Sequence, residues 1–235
     1  MQCKLSVVIP CYNEEQRLPI AIQALSHYFG SSAELTEIII VNDGSQDRTA
    51  ELVLHWAQRE PRVKLLQHFP NRGKGYAIKQ GMLAATGDWV VFMDADMATP
   101  IAMWDRFRPL LAQSSVIIGT RKNKQALVLR RQPWYRENMG KVFTLLSSVL
   151  LGVWISDFTC GFKAFRKDVC QAIFGRQQIF DWSYDAEIMF LAQRLGHRVV
   201  EVPVTWTNDD KTRVRLLDAT LKAIWGLLKI RWVHR

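Results

Sequence analysis

Asp94-Ala95-Asp96 follows directly on the apolar run Trp89-Val-Val-Phe-Met93. Two carboxylates one residue apart at the end of a buried strand can enter one cleft and hold a hard divalent cation, Mg²⁺ or Mn²⁺, with diphosphate oxygens completing its shell. The same short pattern also occurs as two solvated acids in a turn, so its surroundings decide its meaning. Three more polar clusters end apolar runs upstream. Pro10-Cys11-Tyr12-Asn13-Glu14 stops a strand and starts a helix, and its ring and carboxylate could stack on and hydrogen-bond a nucleoside. In Asn42-Asp43-Gly44-Ser45, Asp43 can accept a base N–H; capping of the next helix by Ser45 or Asp47 is the plainer use. Asn71-Arg72-Gly73-Lys74-Gly75 is a cationic loop opening a helix, suited to phosphate. It lacks the P-loop spacing, which disfavours ATP hydrolysis by that route.

The elements that must position these groups follow from hydrophobic patterning. Leu5–Ile9, Glu37–Val41, Val63–Leu66 and Trp89–Met93 read as buried parallel strands, separated by helices over 14–29, 47–58 and 75–85. Strands alternating with helices predict a parallel sheet covered on both faces, with a site at the strands' carboxyl ends, where Tyr12, Asn13, Asp43, Asp94 and Asp96 fall. The second half predicts strands at 116–118, 162–165 and 198–206. Its helices fall at 134–151, 184–195 and 216–233. The last helix sets Leu217, Leu221, Ile224 and Leu228 on one face, with Arg215, Lys222, Lys229 and Arg231 elsewhere and Trp225 and Trp232 added. That pattern suits an interfacial membrane segment, and equally a terminal helix with a solvated basic face.

The 235 residues fit one α/β domain, and the net charge of +9 is unevenly spread. Residues 1–118 carry 11 Lys+Arg against 12 Asp+Glu, whereas 119–235 carry 20 against 10 together with six of the nine Trp. A basic surface of this kind seeks phosphates in nucleic acid, a membrane or a small substrate. The four Cys show no C-x-x-C pair and no secretory segment precedes them, so they read as reduced thiols of a cytoplasmic protein. The five His have no paired spacing and read as peripheral. The apolar run 142–155 is too short to cross a bilayer and predicts a buried or interfacial helix.

The segments S-V-V-I-P-C-Y-N-E-E, I-I-V-N-D-G-S-x-D-x-T, N-R-G-K-G-Y-A, D-A-D and D-x-T-C-G-F-K-A-F, in that order, resemble the inverting glycosyltransferase family 2. Within it they are most similar to the polyprenyl-phosphate sugar synthases that act on dolichyl phosphate. The resemblance runs from about Leu5 to Trp232. It implies a single GT-A, Rossmann-like domain with a mostly parallel central sheet. Residues 1–118 would form the nucleotide and metal half, 119–214 the acceptor half, and 215–235 a basic amphipathic membrane-interface helix. It places Pro10, Tyr12, Glu14 and Asp43 around the nucleoside, Lys74 beside the nucleotide, and Asp94 and Asp96 on ribose and metal. Arg121 and Arg136 match cationic positions near the diphosphate and the acceptor phosphate, and Lys211 and Arg213 a mobile basic loop. Asp157, Gly161 and Phe162 match an acceptor-side motif, and Asp181–Glu187, with Asp185, a segment shaping the sugar pocket. Ala98 departs from the Gln common in mannose synthases, which favours glucose over mannose.

The resemblance implies a nucleotide-sugar donor, UDP-glucose by preference, and a polyprenyl (dolichyl or undecaprenyl) phosphate acceptor. A lipid phosphate is already ionised and needs no strong base, whereas a hydroxyl acceptor would require a carboxylate such as Asp157 or Asp185. What two phosphates brought together require is cations, supplied here by Arg121, Lys122, Lys124, Arg130, Arg131, Arg136, Lys211, Arg213 and Arg215. GDP-mannose or a soluble hydroxyl acceptor is the enzymatic alternative. A nucleic-acid-binding module is disfavoured, because the basic residues interleave with apolar helices and no such motif is present. The expected location is cytoplasmic and peripheral on an anionic membrane, with a membrane-protein partner or a homodimer left open.

Overall fold

The computed structural model describes residues 3–209 and 216–235, with side chains throughout except over 216–224. Lys211, Arg213 and Arg215 therefore lie outside the described residues, as do the side chains of Leu217, Leu221, Lys222 and Ile224.

Four apolar segments form the strands Leu5–Cys11 (β1), Leu35–Asp43 (β2), Val63–His68 (β3) and Trp89–Met93 (β4). They pair in parallel in the order β3-β2-β1-β4, and β1 and β4 are buried along their whole length. Continuous apolar runs are what strands covered on both faces require. The connecting helices are Leu18–Phe29 (α1), Thr49–Arg59 (α2) and Lys74–Ala84 (α3). α1 starts later than the sequence pattern predicts, because Glu14–Arg17 form a turn and Pro19 occupies the first helical turn.

Beyond β4 the chain passes through two short 3₁₀ turns around the helix Trp104–Phe107 (α4), then Val116–Thr120 (β5), Leu127–Arg130 (β6) and Trp134–Leu151 (α5). It continues through Phe162–Arg166 (β7), Lys167–Arg176 (α6), Tyr184–Arg194 (α7), Val199–Pro203 (β8), Thr205–Thr207 (β9) and Leu216–Val233 (α8). The sheet extends as β4-β7-β5-β8, with β7 antiparallel to both neighbours. The strand expected over 198–206 is two strands: β8 pairs with β5, while β9 leaves the sheet to pair with β6. Pro203 lacks the N–H that would continue the ladder, and the chain crosses over at Val204.

One core, around Trp104, Phe107 and Phe162, fills the face beneath α1; the other, around Phe92, Phe165 and Tyr184, fills the face beneath α3, α6 and α7. α5 inverts the usual order, burying Ser147 and Ser148 while Val142, Leu145 and Val149 face outward. In the described part of α8, Leu227 and Ile230 are buried and Leu228 lies outside with Trp225 and Trp232. Leu228, grouped in the sequence with Leu217, Leu221 and Ile224, is thus turned outward, and its neighbour Leu227 takes the core.

Candidate active site

The carboxyl ends of β1, β2 and β4 open onto a cleft of about 1290 Å³. Of the residues singled out from the sequence, Pro10, Tyr12, Glu14, Asp43, Lys74, Asp94, Asp96, Arg121, Arg136 and Asp185 line it. Asp157 stands behind this lining, in contact with Arg121.

Asp43 ends β2 and is buried. Its Oδ1 accepts the backbone N–H of Arg72 at 2.8 Å and its Oδ2 that of Gly73 at 2.9 Å, so the cationic loop folds around this carboxylate. His68, the last residue of β3, places Nε2 2.6 Å from Asp43 Oδ1. His68 is therefore part of the site, contrary to its reading as peripheral. Asp94 accepts a hydrogen bond from Lys74 Nζ at 2.6 Å. Burial works against the Lys74 ammonium, but Asp94, Asp185 and Asp96 outweigh it and raise its pKa. Gly161 abuts Asp94, and any Cβ there would collide with that carboxylate, which explains a glycine in Cys160-Gly161-Phe162. Asp96 accepts from Ala98 N–H at 2.9 Å, and burial with the neighbouring Asp94 charge raises its carboxyl pKa.

The other end of the cleft is cationic. Arg121, just past β5, closes on Asp157 through Nε at 2.7 Å and Nη2 at 2.7 Å, and Asp157 is fully buried. Burial alone would raise the Asp157 carboxyl; the Arg121 pair overrides it and holds the pKa at about 2. Lys122 reaches across to α5, donating to Thr144 Oγ1 at 2.6 Å, and burial lowers its pKa. Arg136, in the first turn of α5, has a buried Nε with no partner. Met139, Val142, Phe143 and Leu146 of α5 and Leu227 of α8 give this end an apolar wall. Asp185, in the first turn of α7, is held by Lys163 Nζ at 2.5 Å.

Sequence reasoning passed over His68 and Lys163. Each acts through an acid more than twenty residues distant in the chain, so no local spacing signals the pair.

An open sheet with an acidic crevice at its carboxyl ends and one antiparallel strand inserted beyond β4 defines the class, a GT-A-like glycosyltransferase domain. The family model for glycosyl transferase family 2 matches residues 6–174, and the chain belongs to that family. Among similar curated proteins, a dolichyl-phosphate beta-glucosyltransferase of Trichomonas vaginalis is 37% identical, covering 98% of this chain and 74% of that protein. The Homo sapiens dolichyl-phosphate beta-glucosyltransferase is 28% identical over 90% of this chain and 69% of its own length. Among solved structures, glucosyl-3-phosphoglycerate synthase from Mycobacterium tuberculosis, in complex with Mn²⁺, UDP-glucose and phosphoglyceric acid, shares the fold with a TM-score of 0.72. It is 20% identical, covering 97% of this chain and 79% of that one.

Proposed function

We propose that this glycosyltransferase moves glucose from UDP-glucose to a polyprenyl phosphate, working peripherally on the cytoplasmic face of a membrane. The observation that carries the reading is the two-ended cleft: acids at the strand ends, cations and an apolar wall from α5 and α8 opposite. A soluble hydroxyl acceptor would not call for that wall. The names of the relatives, dolichyl-phosphate beta-glucosyltransferases, support the same acceptor and sugar.

In this reading Asp43, oriented by His68 and the Arg72 and Gly73 amides, receives the uracil, with Pro10, Tyr12 and Glu14 around the nucleoside. The donor set at Asp94 and Asp96 suits a hard divalent ion: two carboxylates crowd one cleft, and burial with the Asp94 charge lifts the Asp96 carboxyl. Among the described residues no cluster of three His, Cys, Asp or Glu could cage a metal alone, which leaves the other positions to the diphosphate. Asp94 and Asp96 would hold Mg²⁺ or Mn²⁺, which when bound offsets the charge developing on the departing diphosphate. Arg121, fixed by Asp157, and Lys122 and Arg136 draw in the acceptor phosphate, with Lys211 and Arg213 as further candidates. An acceptor oxygen attacks the anomeric carbon as the bond to UDP breaks, with inversion. The phosphate arrives ionised, so Asp157 is assigned to positioning Arg121 and Asp185 to the sugar, neither to proton removal.

The test offers purified protein UDP-glucose, UDP-galactose or GDP-mannose with Mn²⁺, and either a short-chain polyprenyl phosphate or water-soluble hydroxyl acceptors. The expected result is solvent-extractable glucosyl lipid from UDP-glucose alone, lost in Asp96→Ala. Product on a hydroxyl acceptor, or full activity in Asp96→Ala, overturns the reading.

A further inference from the structure

Lys163, the second residue of β7, has no part in the roles above, yet it occupies an expensive position. It is wholly buried. Its Nζ donates to the Cys160 carbonyl at 2.7 Å and to Asp185 Oδ1 at 2.5 Å, and it lies 5.2 Å from the Phe92 ring centroid, on the strand beside its own. A lysine ammonium in such surroundings is tolerated only when its charge is matched. The match comes from the one carboxylate of α7 that lines the cleft, with an 8% exposed side chain. The turn before Lys163 is tied to the same region, because Gly161 lies against Asp94.

Charge accounting across the cleft gives this pair a purpose. Lys74 balances Asp94 and Lys163 balances Asp185, whereas Asp96 takes its hydrogen bond from the Ala98 amide. An unbalanced Asp185 would add a second unneutralised carboxylate to Asp96 where a diphosphate must bind, and Coulomb repulsion would oppose the donor. The pair as a whole carries no net charge, and Asp185 offers an acceptor oxygen oriented by a wholly buried partner.

We propose that Lys163 is a positioning residue that pairs with Asp185 and aims it as the acceptor for a hydroxyl of the donor sugar. This rests on the cleft taking a nucleotide-sugar, and it adds a determinant of sugar binding outside the cleft lining. The sugar, not the nucleotide, is what the pair should sense.

The experiment is calorimetric binding of UDP-glucose and of UDP, each with Mn²⁺, to the full chain as wild type, Lys163→Met, Lys163→Gln, Asp185→Asn and the Lys163→Met/Asp185→Asn double variant, with thermal melts alongside. Loss of a hydrogen bond to a charged group predicts about tenfold weaker UDP-glucose binding in Lys163→Met and in Asp185→Asn. UDP affinity should stay within about twofold, since a contact confined to the sugar leaves the nucleotide's contacts intact. Lys163→Gln, still a donor, should recover part of the loss, and the double variant should be no weaker than either single. Lys163→Met strands a buried carboxylate; should it not fold, the double variant, which removes both charges, carries the test against Asp185→Asn alone. Independent, multiplying losses, a parallel fall in UDP affinity, or unchanged UDP-glucose binding overturns the proposal. A wild type that binds UDP but not UDP-glucose overturns both this proposal and the donor assignment, whereas normal wild-type binding with indifferent variants overturns this one alone.

Discussion

At Asp157 a carboxylate with no solvent contact stays ionised because Arg121 grips both of its oxygens. Its pKa of about 2, against about 4 for an ordinary aspartate, corresponds to roughly 2 kcal/mol of stability at neutral pH. The pKa is depressed, so this stability is fully present above the unfolded-state value near pH 4. It drains away as pH falls through the folded value near 2. Asp157→Asn should therefore unfold at lower urea than wild type at pH 7, with the gap narrowing between pH 4 and 2; a constant gap would mean the ion pair is not its source. Transfer should fall too, because Arg121 loses the group that aims it. Asp43, Lys74, Asp94 and Asp96 were legible in the sequence as cleft candidates, since each lies within three residues of a recognisable element, whereas Arg121 entered through the family resemblance. His68 and Lys163 were not, since their significance lies in a contact the tertiary fold creates.

Among the elements, α3 is the most exacting. It lies directly on β1 and β2, and a Cβ at Gly81 would meet Val8 Cγ1 and stand 2.8 Å from Val41 Cγ2. Its first turn carries Lys74, so displacing the helix displaces a site residue. Gly81→Val should cost about 1–3 kcal/mol from overpacking, read by chemical unfolding, and should weaken UDP binding as well. Gly140, inside α5, is the contrast, with nothing within 4 Å of where a Cβ would stand. Gly140→Ala should stabilise by roughly 0.5–1 kcal/mol, as helix propensity dictates. Equal effects at both sites would refute the packing account. The four parallel strands and their helices were readable because burial on both faces demands unbroken apolar runs. β6, four residues long, escaped, and β9, three residues long, was merged with β8. α6 was also missed, although its buried Val169, Cys170, Ile173 and Phe174 fall at helical spacing.

Over the whole molecule, part of the second half's basic and Trp excess gathers on two surfaces. One is the cationic end of the cleft. The other is the outer side of the packed pair α5 and α8, joined where Arg231 Nη1 donates to the Leu150 carbonyl at 3.0 Å. Trp225 and Trp232 of α8 are 70% and 68% exposed, and in α5 Ser147 and Ser148 are buried while Val142, Leu145 and Val149 are exposed. Such an arrangement is stable in contact with an apolar medium rimmed by anions, and Lys141, Lys229 and Arg231 supply the rim's counterpart. No helix among the described residues is long and apolar enough to cross a membrane. We therefore expect attachment by the α5–α8 face to an anionic bilayer, presenting the apolar wall of the cleft to a lipid-linked acceptor. Sedimentation with vesicles containing phosphatidylserine should show binding that weakens as salt rises, because each surface cation contributes about 1 kcal/mol within a Debye length. Lys229→Ser with Arg231→Ser should reduce binding at low salt and flatten that salt dependence. Trp225→Ala with Trp232→Ala should reduce it at every salt concentration, since burial of aromatic surface is not screened. Point substitutions are the right tool, because deleting α8 would also remove the buried Leu227 and Ile230 and disturb the core. Equal binding to neutral and anionic vesicles would refute the electrostatic half of this account, and Trp variants that bind like wild type would refute the apolar half.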